Sequence, residues 1–327
     1  MMGKSERDRQ MMGKSERQAS DGEAYAHWVN DAVRGAGKGL RPDGLDAEYT
    51  TLPMFLSFDA DGFTVDVDDA TANNTTNGSG STFVAWNWKA GDSGVSNTDG
   101  SITSTVSANT DAGFSIVAHT GDGIDEATIG HGLSQAPDVI ITKGRTNTRD
   151  WRVYHKDLPT DYALLLNQTV AQSGSFSNGW IHNVTATTFA ANNNSGIAGV
   201  NSSGVDYIHY CFHSVDGFSK FGSYTGNGST DGTFVYTGFR PAFVLIKRTD
   251  SAEDWVLHDS TRDTYNDADN ESVLRPNTSG AEQSYGAIDF FSNGFKLMTS
   301  GGAYNASGSP YIYMAFAEMP AKYSLGR

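Results

Sequence analysis

The sequence predicts an all-β protein of tandem, jelly-roll-like β-sandwich units, two complete and one partial, that follow a short helical leader. Three observations support this: a glycine-rich composition, short apolar runs bounded by turn residues, and an internal repeat. The chain has 327 residues, of which 37 are glycine and 8 are proline. Turn pairs such as Asp61-Gly62, Asp122-Gly123 and Asn293-Gly294 separate the apolar runs, and such pairs tolerate the positive φ of tight hairpins. Many short strands of this kind are typical of sandwiches and barrels.

The repeat has a short signature, Asn-x-Ser-Gly, followed by an aromatic-rich strand. It occurs at Asn77, Asn201 and Asn305, and the aromatic residues Phe83, Tyr207 and Tyr311 follow six positions later. The last two copies can be aligned for about a hundred residues, from Phe114 and Phe221, through Lys143 and Lys247, to Trp151 and Trp255. The first copy matches only the second half of the unit. Its first half is missing or has diverged beyond recognition.

Residues 1–50 form the leader, which opens with a duplicated MMGKSER sequence at 1–7 and 11–17. An amphipathic helix is predicted next, because its apolar residues follow the spacing i, i+3, i+4, i+7, i+8. These residues are Tyr25, Trp28, Val29, Ala32 and Val33. A helix this short is marginal in water and needs a partner surface. It is either a docking or oligomerisation element, a helix packed on its own β domain, or, in the duplicated part, an artefact of the start site.

The remaining chain is divided into a partial β unit at 51–113 and two β-sandwich units at 114–220 and 221–327. A repeat of about a hundred residues is long enough to bury its own core. We therefore expect each unit to fold as a separate bead.

Charge and hydropathy exclude several classes of partner. The net charge is −15, and residues 1–41 carry 8 basic and 6 acidic side chains, so the acidic excess lies in the body. An acidic body argues against nucleic-acid binding, which requires Lys and Arg. No apolar stretch reaches the roughly 20 residues of a membrane span, and no secretory signal peptide is visible. The chain is expected to be soluble.

The candidate catalytic and metal-binding residues of one repeat are not present at the equivalent positions of the other repeats. The acidic residues from Asp59 to Asp69 are dense enough for calcium but lack EF-hand spacing, and the last copy has an ordinary hairpin there. His119 becomes Tyr224 and His209 becomes Tyr313. The single cysteine, Cys211, lies in an apolar strand, where a buried role is expected. We predict no catalytic residues, no metal, no cofactor and no enzymatic activity.

Two sets of residues are candidates for ligand contact. Trp151 and Trp255, each preceded by an aspartate, are expected to anchor the core, and the alternative is a lectin groove in which they stack on sugars. The loop residues expected to be exposed and able to touch a glycan are Asn192, Asn193, Asn194, Tyr304 and Asn305.

Several long strings resemble a recurrent, poorly characterised β-rich domain of marine tailed-bacteriophage virion proteins. They are FVAWNWKAG (83–91), SNTDGSITSTVSANTDAGFSIV (96–117), FGSYTGNGSTDG (221–232), FRPAFVLIKRTD (239–250) and YIYMAFAEMP (311–320). The resemblance covers about residues 55–327. It implies a virion part of the tail-fibre or appendage type, without defining a ligand or catalytic residues.

The leading hypothesis is a bacteriophage tail fibre or tail appendage that takes part in host-surface adsorption. Its expected partners are other virion proteins, reached through the leader, and a host cell-surface glycan. A homo-oligomer, a trimer by analogy, is expected. The alternative is a capsid decoration or head appendage protein, and a polysaccharide depolymerase is less favoured because no carboxylate pair stands out. The protein is expected in the virion, on the tail rather than the capsid surface, after synthesis in the bacterial cytoplasm.

Overall fold

The computed structural model describes residues 12–18, 26–50, 55–66, 76–78, 81–91, 93–174, 180–193, 199–263, 266 and 271–317. Nearly all regular structure in these residues is antiparallel β-strand. The prediction of an all-β fold is therefore confirmed.

The first unit supplies seven of the described strands. They are β1 (Met12–Gln18), β2 (Trp28–Asn30), β3 (Phe55–Phe58), β4 (Phe63–Val65), β5 (Thr82–Trp88), β6 (Val95–Asn97) and β7 (Ser104–Asn109). Strand β1 lies between β2 and β5, and β3 pairs with β4 in a hairpin. Strands β6 and β7 extend the large sheet of the second unit through the pairing of β7 with the next strand, β8.

The second unit is a two-sheet sandwich. Its strands are β8 (Phe114–Thr120), β9 (Ala127–Gly130), β10 (Val139–Gly144), β11 (Arg152–His155), β12 (Leu164–Leu165), β13 (Ile181–His182), β14 (Thr188–Ala191) and β15 (Asp206–Phe212). The large sheet has the order β12-β11-β10-β15-β8-β7-β6, and the small sheet has the order β13-β14-β9.

The third unit repeats this topology. Its elements are β16 (Ser219–Thr225), β17 (Phe234–Tyr236), β18 (Pro241–Arg248), β19 (Val256–Asp259), β20 (Ser272–Val273), β21 (Gln283–Ser284), β22 (Ile288–Phe291), β23 (Gly294–Leu297), the helix α1 (Gly302–Asn305) and β24 (Pro310–Ala317). The order β19-β18-β24-β16 reproduces β11-β10-β15-β8, and β22-β23-β17 reproduces β13-β14-β9. The pairing also corrects one aligned position. Phe114 lies opposite Phe212 as Ser219 lies opposite Phe316, so Phe114 corresponds to Ser219 and not to Phe221.

The predicted helix in the leader is wrong. Trp28 and Val29 belong to strand β2 and are buried, whereas Ala32 and Val33 lie in the turn that follows; Tyr25 lies outside the described residues. Strand pairing with β1 overrides the helical spacing, which extends over only two turns. Because Trp28 and Val29 are 6% exposed, they are not available for docking.

The leader instead supplies the first half of the first unit. In the register of the sheets, Met12 lies opposite Trp88 as Val139 lies opposite Phe212. Strands β1 and β2 therefore take the places beside β5 that β10 and β11 take beside β15. Of the two explanations for the absent half, divergence beyond recognition is the one that holds.

An ion-pair network marks the same equivalence. Buried Arg34 pairs with Asp31 and with Glu48, while Arg262 pairs with Asp259, three residues before it, and with Glu282. Burial alone would lower the pKa of Arg34, but the two carboxylates and Tyr210 raise it above its usual value. The turn after β2 is thus built like the turn after β19.

Alternation along the last strand of each unit divides the core. In β15, Ile208, Tyr210 and Phe212 face a central cluster, whereas Tyr207 and Cys211 face the unit's own small sheet. Strand β24 alternates in the same way between the central cluster and a third core, as expected when a strand is buried on both faces. Each complete unit therefore has a core of its own and also contributes to the central cluster, which the units share.

Three equivalent aromatic rings meet in the shared core. Trp88, Phe212 and Phe316 occupy the same position in β5, β15 and β24, and their centroids are 5.3, 5.8 and 6.3 Å apart. Because the three rings are equivalent in the repeat and lie at similar distances from one another, we infer that the chain arranges its three units around a pseudo-threefold axis. The expectation of separate beads is wrong, because the apolar faces of the units are buried against one another.

Hydrogen bonds close the ring of units. They are Trp151 Nε1 to Arg41 O at 2.8 Å, Trp255 Nε1 to Leu165 O at 2.9 Å, and His27 Nε2 with Arg275 O at 3.1 Å. The second unit thus contacts the first, the third contacts the second, and the first contacts the third. The residues that follow these carbonyls, Pro42, Leu166 and Pro276, line an apolar cavity of about 70 Å³ in the shared core.

Candidate functional site

The signature asparagines of the second and third units, Asn201 and Asn305, hold loops together inside the protein. Asn305 accepts a hydrogen bond from Asn227 N at 2.9 Å and donates to Asn227 Oδ1 and Ser229 O at 2.7 and 2.8 Å. Asn201 makes the same three bonds to Asp122 N, Asp122 Oδ1 and Ile124 O. The repeated signature is therefore structural, since each buried amide satisfies a turn that leads out of the first strand.

Most of the predicted glycan-contacting residues are buried. Asn192, Tyr304 and Asn305 are 2%, 4% and 0% exposed, so the expectation that they lie on the surface is wrong. Asn193 is half-buried and donates to Gly123 O at 2.7 Å, and Asn194 lies outside the described residues. Polar loop composition does not show exposure when loops from two parts of a unit are bonded to each other.

The paired tryptophans and lysines anchor units to one another. Trp151 and Trp255 are each 1% exposed, which confirms their prediction as core residues and leaves no lectin groove there. Lys143 Nζ donates to Leu45 O at 3.1 Å, and Lys247 Nζ donates to Thr169 O at 3.0 Å. Burial lowers the pKa of both lysines to about 8. All four side chains reach a backbone carbonyl of the preceding unit.

Two histidines of the second unit, His119 and His209, form a buried, neutral chain with Thr142. His209 Nε2 lies 3.0 Å from His119 Nδ1, and His209 Nδ1 lies 2.8 Å from Thr142 Oγ1. Burial lowers the pKa of His119 to about 4 and that of His209 well below its usual value. Cys211 is 0% exposed, which confirms the buried role predicted for it, and this burial raises the pKa of its thiol.

A second buried polar group lies in the third unit. Glu271 Oε2 accepts hydrogen bonds from Ala287 N and Ile288 N at 2.8 and 2.6 Å, and burial raises the pKa of Glu271 to about 7. Among the described residues no group of three His, Cys, Asp or Glu side chains is arranged to hold a metal ion. In the first unit, Asp59 accepts hydrogen bonds from Ser57 and Thr64, whereas Asp68 and Asp69 lie outside the described part.

The outer surface of the third unit carries a cluster of aromatic side chains that sequence reasoning missed. Phe234, Tyr236 and Phe291 are 44%, 64% and 39% exposed, which makes them three of the five exposed aromatic residues in the described part of the chain. They lie on the small sheet β22-β23-β17, on the side opposite its core. We call these three residues the aromatic face.

Strand pairing sets the geometry of the aromatic face. Tyr236 and Phe291 both lie opposite Gly294 on the central strand, one from each side. A Cβ at Gly294 would lie 2.2 Å from Val235 O and 2.9 Å from Phe234 Cζ, so the glycine leaves room for the ring of Phe234. Phe234 and Phe291 meet edge to face at 5.9 Å, a favoured geometry for aromatic pairs.

Charged side chains form the adjacent row of the same surface. Lys296 lies between Phe234 and Asp289 in the register and makes an ion pair with exposed Asp231. Hydrogen bonding to Lys296 lowers the pKa of Asp231, while burial raises the pKa of Asp289. The apolar rings of the aromatic face thus lie beside hydrogen-bonding groups of both positive and negative charge.

These features define a class of protein: a single-chain, pseudo-threefold assembly of β units that carries an aromatic face on its third unit. The chain belongs to the DUF7483 family, a domain of unknown function, which matches residues 15–320. The match begins within β1, so the family includes residues 15–50 of the segment interpreted as a leader. The comparisons with curated proteins and with solved structures gave no match. No helix in the described residues is long and apolar enough to cross a membrane.

Proposed function

We propose that the chain is a structural protein of a bacteriophage virion, a tail fibre or tail appendage that binds the host surface without catalysis. The observation that carries this proposal is the aromatic face. Isolated exposed apolar residues are ordinary, but a cluster of aromatic rings on a soluble domain is typical of binding surfaces. The strings that resemble phage virion proteins supply the biological setting.

The architecture favours a binding role over catalysis. Buried polar groups that could do acid–base chemistry, such as His119, His209 and Glu271, are held inside the sandwiches by hydrogen bonds. The aromatic face, in contrast, is exposed and stands on paired strands, which hold a binding surface rigidly. A rigid scaffold with a laterally placed contact surface suits adsorption.

Adsorption competition tests the proposal directly. Host bacteria would be incubated with the purified full chain before addition of the phage that encodes it, and free phage would be counted over time. We expect the wild-type chain to slow adsorption and the triple variant Phe234→Ser, Tyr236→Ser, Phe291→Ser to have little effect. Equal adsorption with and without saturating wild-type protein would reject the adsorption role.

Localisation distinguishes the tail from the head. Antibodies raised against the folded chain would be applied to intact particles and imaged by electron microscopy. Label at the tail is expected. Label spread over the head would instead assign the chain to capsid decoration, and an unlabelled particle, with no peptide of the chain in its proteome, would reject a virion role.

A further inference from the structure

The aromatic face has the wrong size for a protein partner. It spans three strands and two residue rows, which corresponds to about 10 Å by about 7 Å of sheet. A standard protein interface buries roughly 800 Å² on each partner, far more than this surface offers. Its dimensions suit a small, rigid, partly apolar ligand.

The charge of the surroundings excludes a nucleic acid as that ligand. The exposed neighbour Asp231 forms an ion pair with Lys296. Asp289, which lies opposite Lys296 in the sheet, adds a second carboxylate. The whole chain carries a net charge of −15. A phosphate backbone would be repelled at this surface, even though bases can stack on aromatic rings.

A sugar ring combines the two chemistries that the face presents. One side of a pyranose carries C–H groups that pack against aromatic rings, while its edge carries hydroxyls that donate to carboxylates and accept from ammonium groups. Tyr236 and Phe291 flank the glycine position of the middle strand. Asp231, Lys296 and Asp289 follow one row away.

Of the two complete units, only the third carries the site in the described residues. At the positions of Phe234 and Tyr236, the second unit has Thr128 and Gly130, as the pairings of β9 with β14 and of β17 with β23 show. The edge of β9 is also covered, since Ile102 bridges Ile129 and Ser101 N donates to Thr128 Oγ1 at 2.8 Å. No described residue covers the outer edge of β17 in this way.

We propose that the aromatic face binds a pyranose ring of a cell-surface polysaccharide, with one site per chain. Tyr236 and Phe291 provide the stacking surfaces beside Gly294, and Asp231, Lys296 and Asp289 bind the hydroxyls. This names the ligand class of the adsorption site and so rests on the proposed function.

The test measures binding of the purified full chain to immobilised β-glucan, agarose, alginate and lipopolysaccharide from the host bacterium. We expect saturable binding to at least one of them, with affinity falling about tenfold for each of Tyr236→Ala and Phe291→Ala, the scale of one lost aromatic contact. Tyr162→Ala is the matched control, because Tyr162 is similarly exposed, at 38%, in the second unit. Absence of binding to all four polymers, or equal affinity of the triple serine variant, would overturn the inference.

A second measurement separates this inference from the proposed function. Host cells would be treated with periodate, which oxidises vicinal diols of sugars, or with protease, before the labelled chain is added. Loss of binding after periodate alone supports a glycan. Binding that is lost only after protease refutes the glycan and leaves adsorption intact, whereas no binding to untreated cells removes both. A change in oligomeric mass of the triple variant in sedimentation would show instead that the face joins two copies.

Discussion

Replacement of Phe212 by alanine tests the shared core. Phe212 is 2% exposed, and its ring lies 4.6 Å from Phe114, 5.8 Å from Phe316 and 6.3 Å from Trp88, centroid to centroid. Transfer of the ring to water costs roughly 2 kcal/mol. The cavity left behind adds roughly 2 kcal/mol at about 24 cal/mol per Å³. We expect Phe212→Ala to lower the free energy of unfolding by about 4 kcal/mol.

The assay is urea unfolding followed by tryptophan fluorescence, combined with hydrogen exchange of peptides from each unit. Because the units share one core, the midpoint should fall by on the order of 1 M in one transition, and exchange should accelerate in all three units. Phe212→Leu, which costs about 1 kcal/mol, remains measurable if the alanine variant does not fold. The surface substitution Phe234→Ala should change stability by less than about 0.5 kcal/mol.

One result would refute this reasoning. If Phe212→Ala produced a separate early transition of the second unit, while protection in the third unit stayed at the wild-type value, the units would be independent beads. The contacts among Trp88, Phe212 and Phe316 would then not make the three units unfold cooperatively.

The remaining predictions concern the histidine chain, the signature asparagines and the leader. Since burial lowers the pKa of His119 to about 4, the unfolded chain takes up protons below about pH 6.5 that the folded chain does not. The contribution of His119 to stability is therefore complete above that pH and falls by about 3 kcal/mol as pH decreases to about 4. Because burial also lowers the pKa of His155 to about 4, His119→Tyr with His209→Tyr, the residues of the third unit, should reduce the slope of this part of the profile in pH-dependent thermal melts without removing it; an unchanged slope would contradict the prediction. Asn201→Ala and Asn305→Ala should each lower the free energy of unfolding in urea by about 2–3 kcal/mol, because buried turn groups lose their partners. Asn77→Ala should lower it by less, since Asn77 is exposed and has one described bond, to Asp66 O. Equal small losses in all three variants would show that the signature is not a structural requirement. Deletion of residues 1–41 should yield insoluble or unfolded protein by circular dichroism, because β2, buried Leu40 and the Arg34–Asp31 pair are lost from the core, whereas a cooperatively folded product would restore the leader hypothesis.

The sequence was most informative where local chemistry and topology agree. A composition typical of β-strands and turns predicted the all-β fold. The alignment of Trp151 with Trp255 predicted two core anchors, because an aromatic residue that starts a strand in both copies usually packs in the core. The identical strand order of the two complete units then follows from the alignment. The strand order is a property that each unit satisfies within itself.

The sequence was misleading where the decisive contacts lie between distant segments. Trp28, Val29 and Val33 have helical spacing, yet β2 is held by pairing with β1 and by the core that all three units share. Asn305 looks like an exposed loop residue until its bonds to Asn227, 78 positions earlier, are known. Local pattern carries no information about such partners.

The comparison of repeats separates structure from function in this chain. Residues that recur, such as Asn201 with Asn305 and Lys143 with Lys247, bond loops or neighbouring units, so duplication kept them because each unit must fold and must fit its neighbours. A binding surface has no such requirement, since one copy per chain is sufficient. Phe234 and Tyr236 replace Thr128 and Gly130 at positions that face away from every core. A search for chemistry shared by all repeats therefore selects structural residues, and the candidate for function is found where one unit departs from the other.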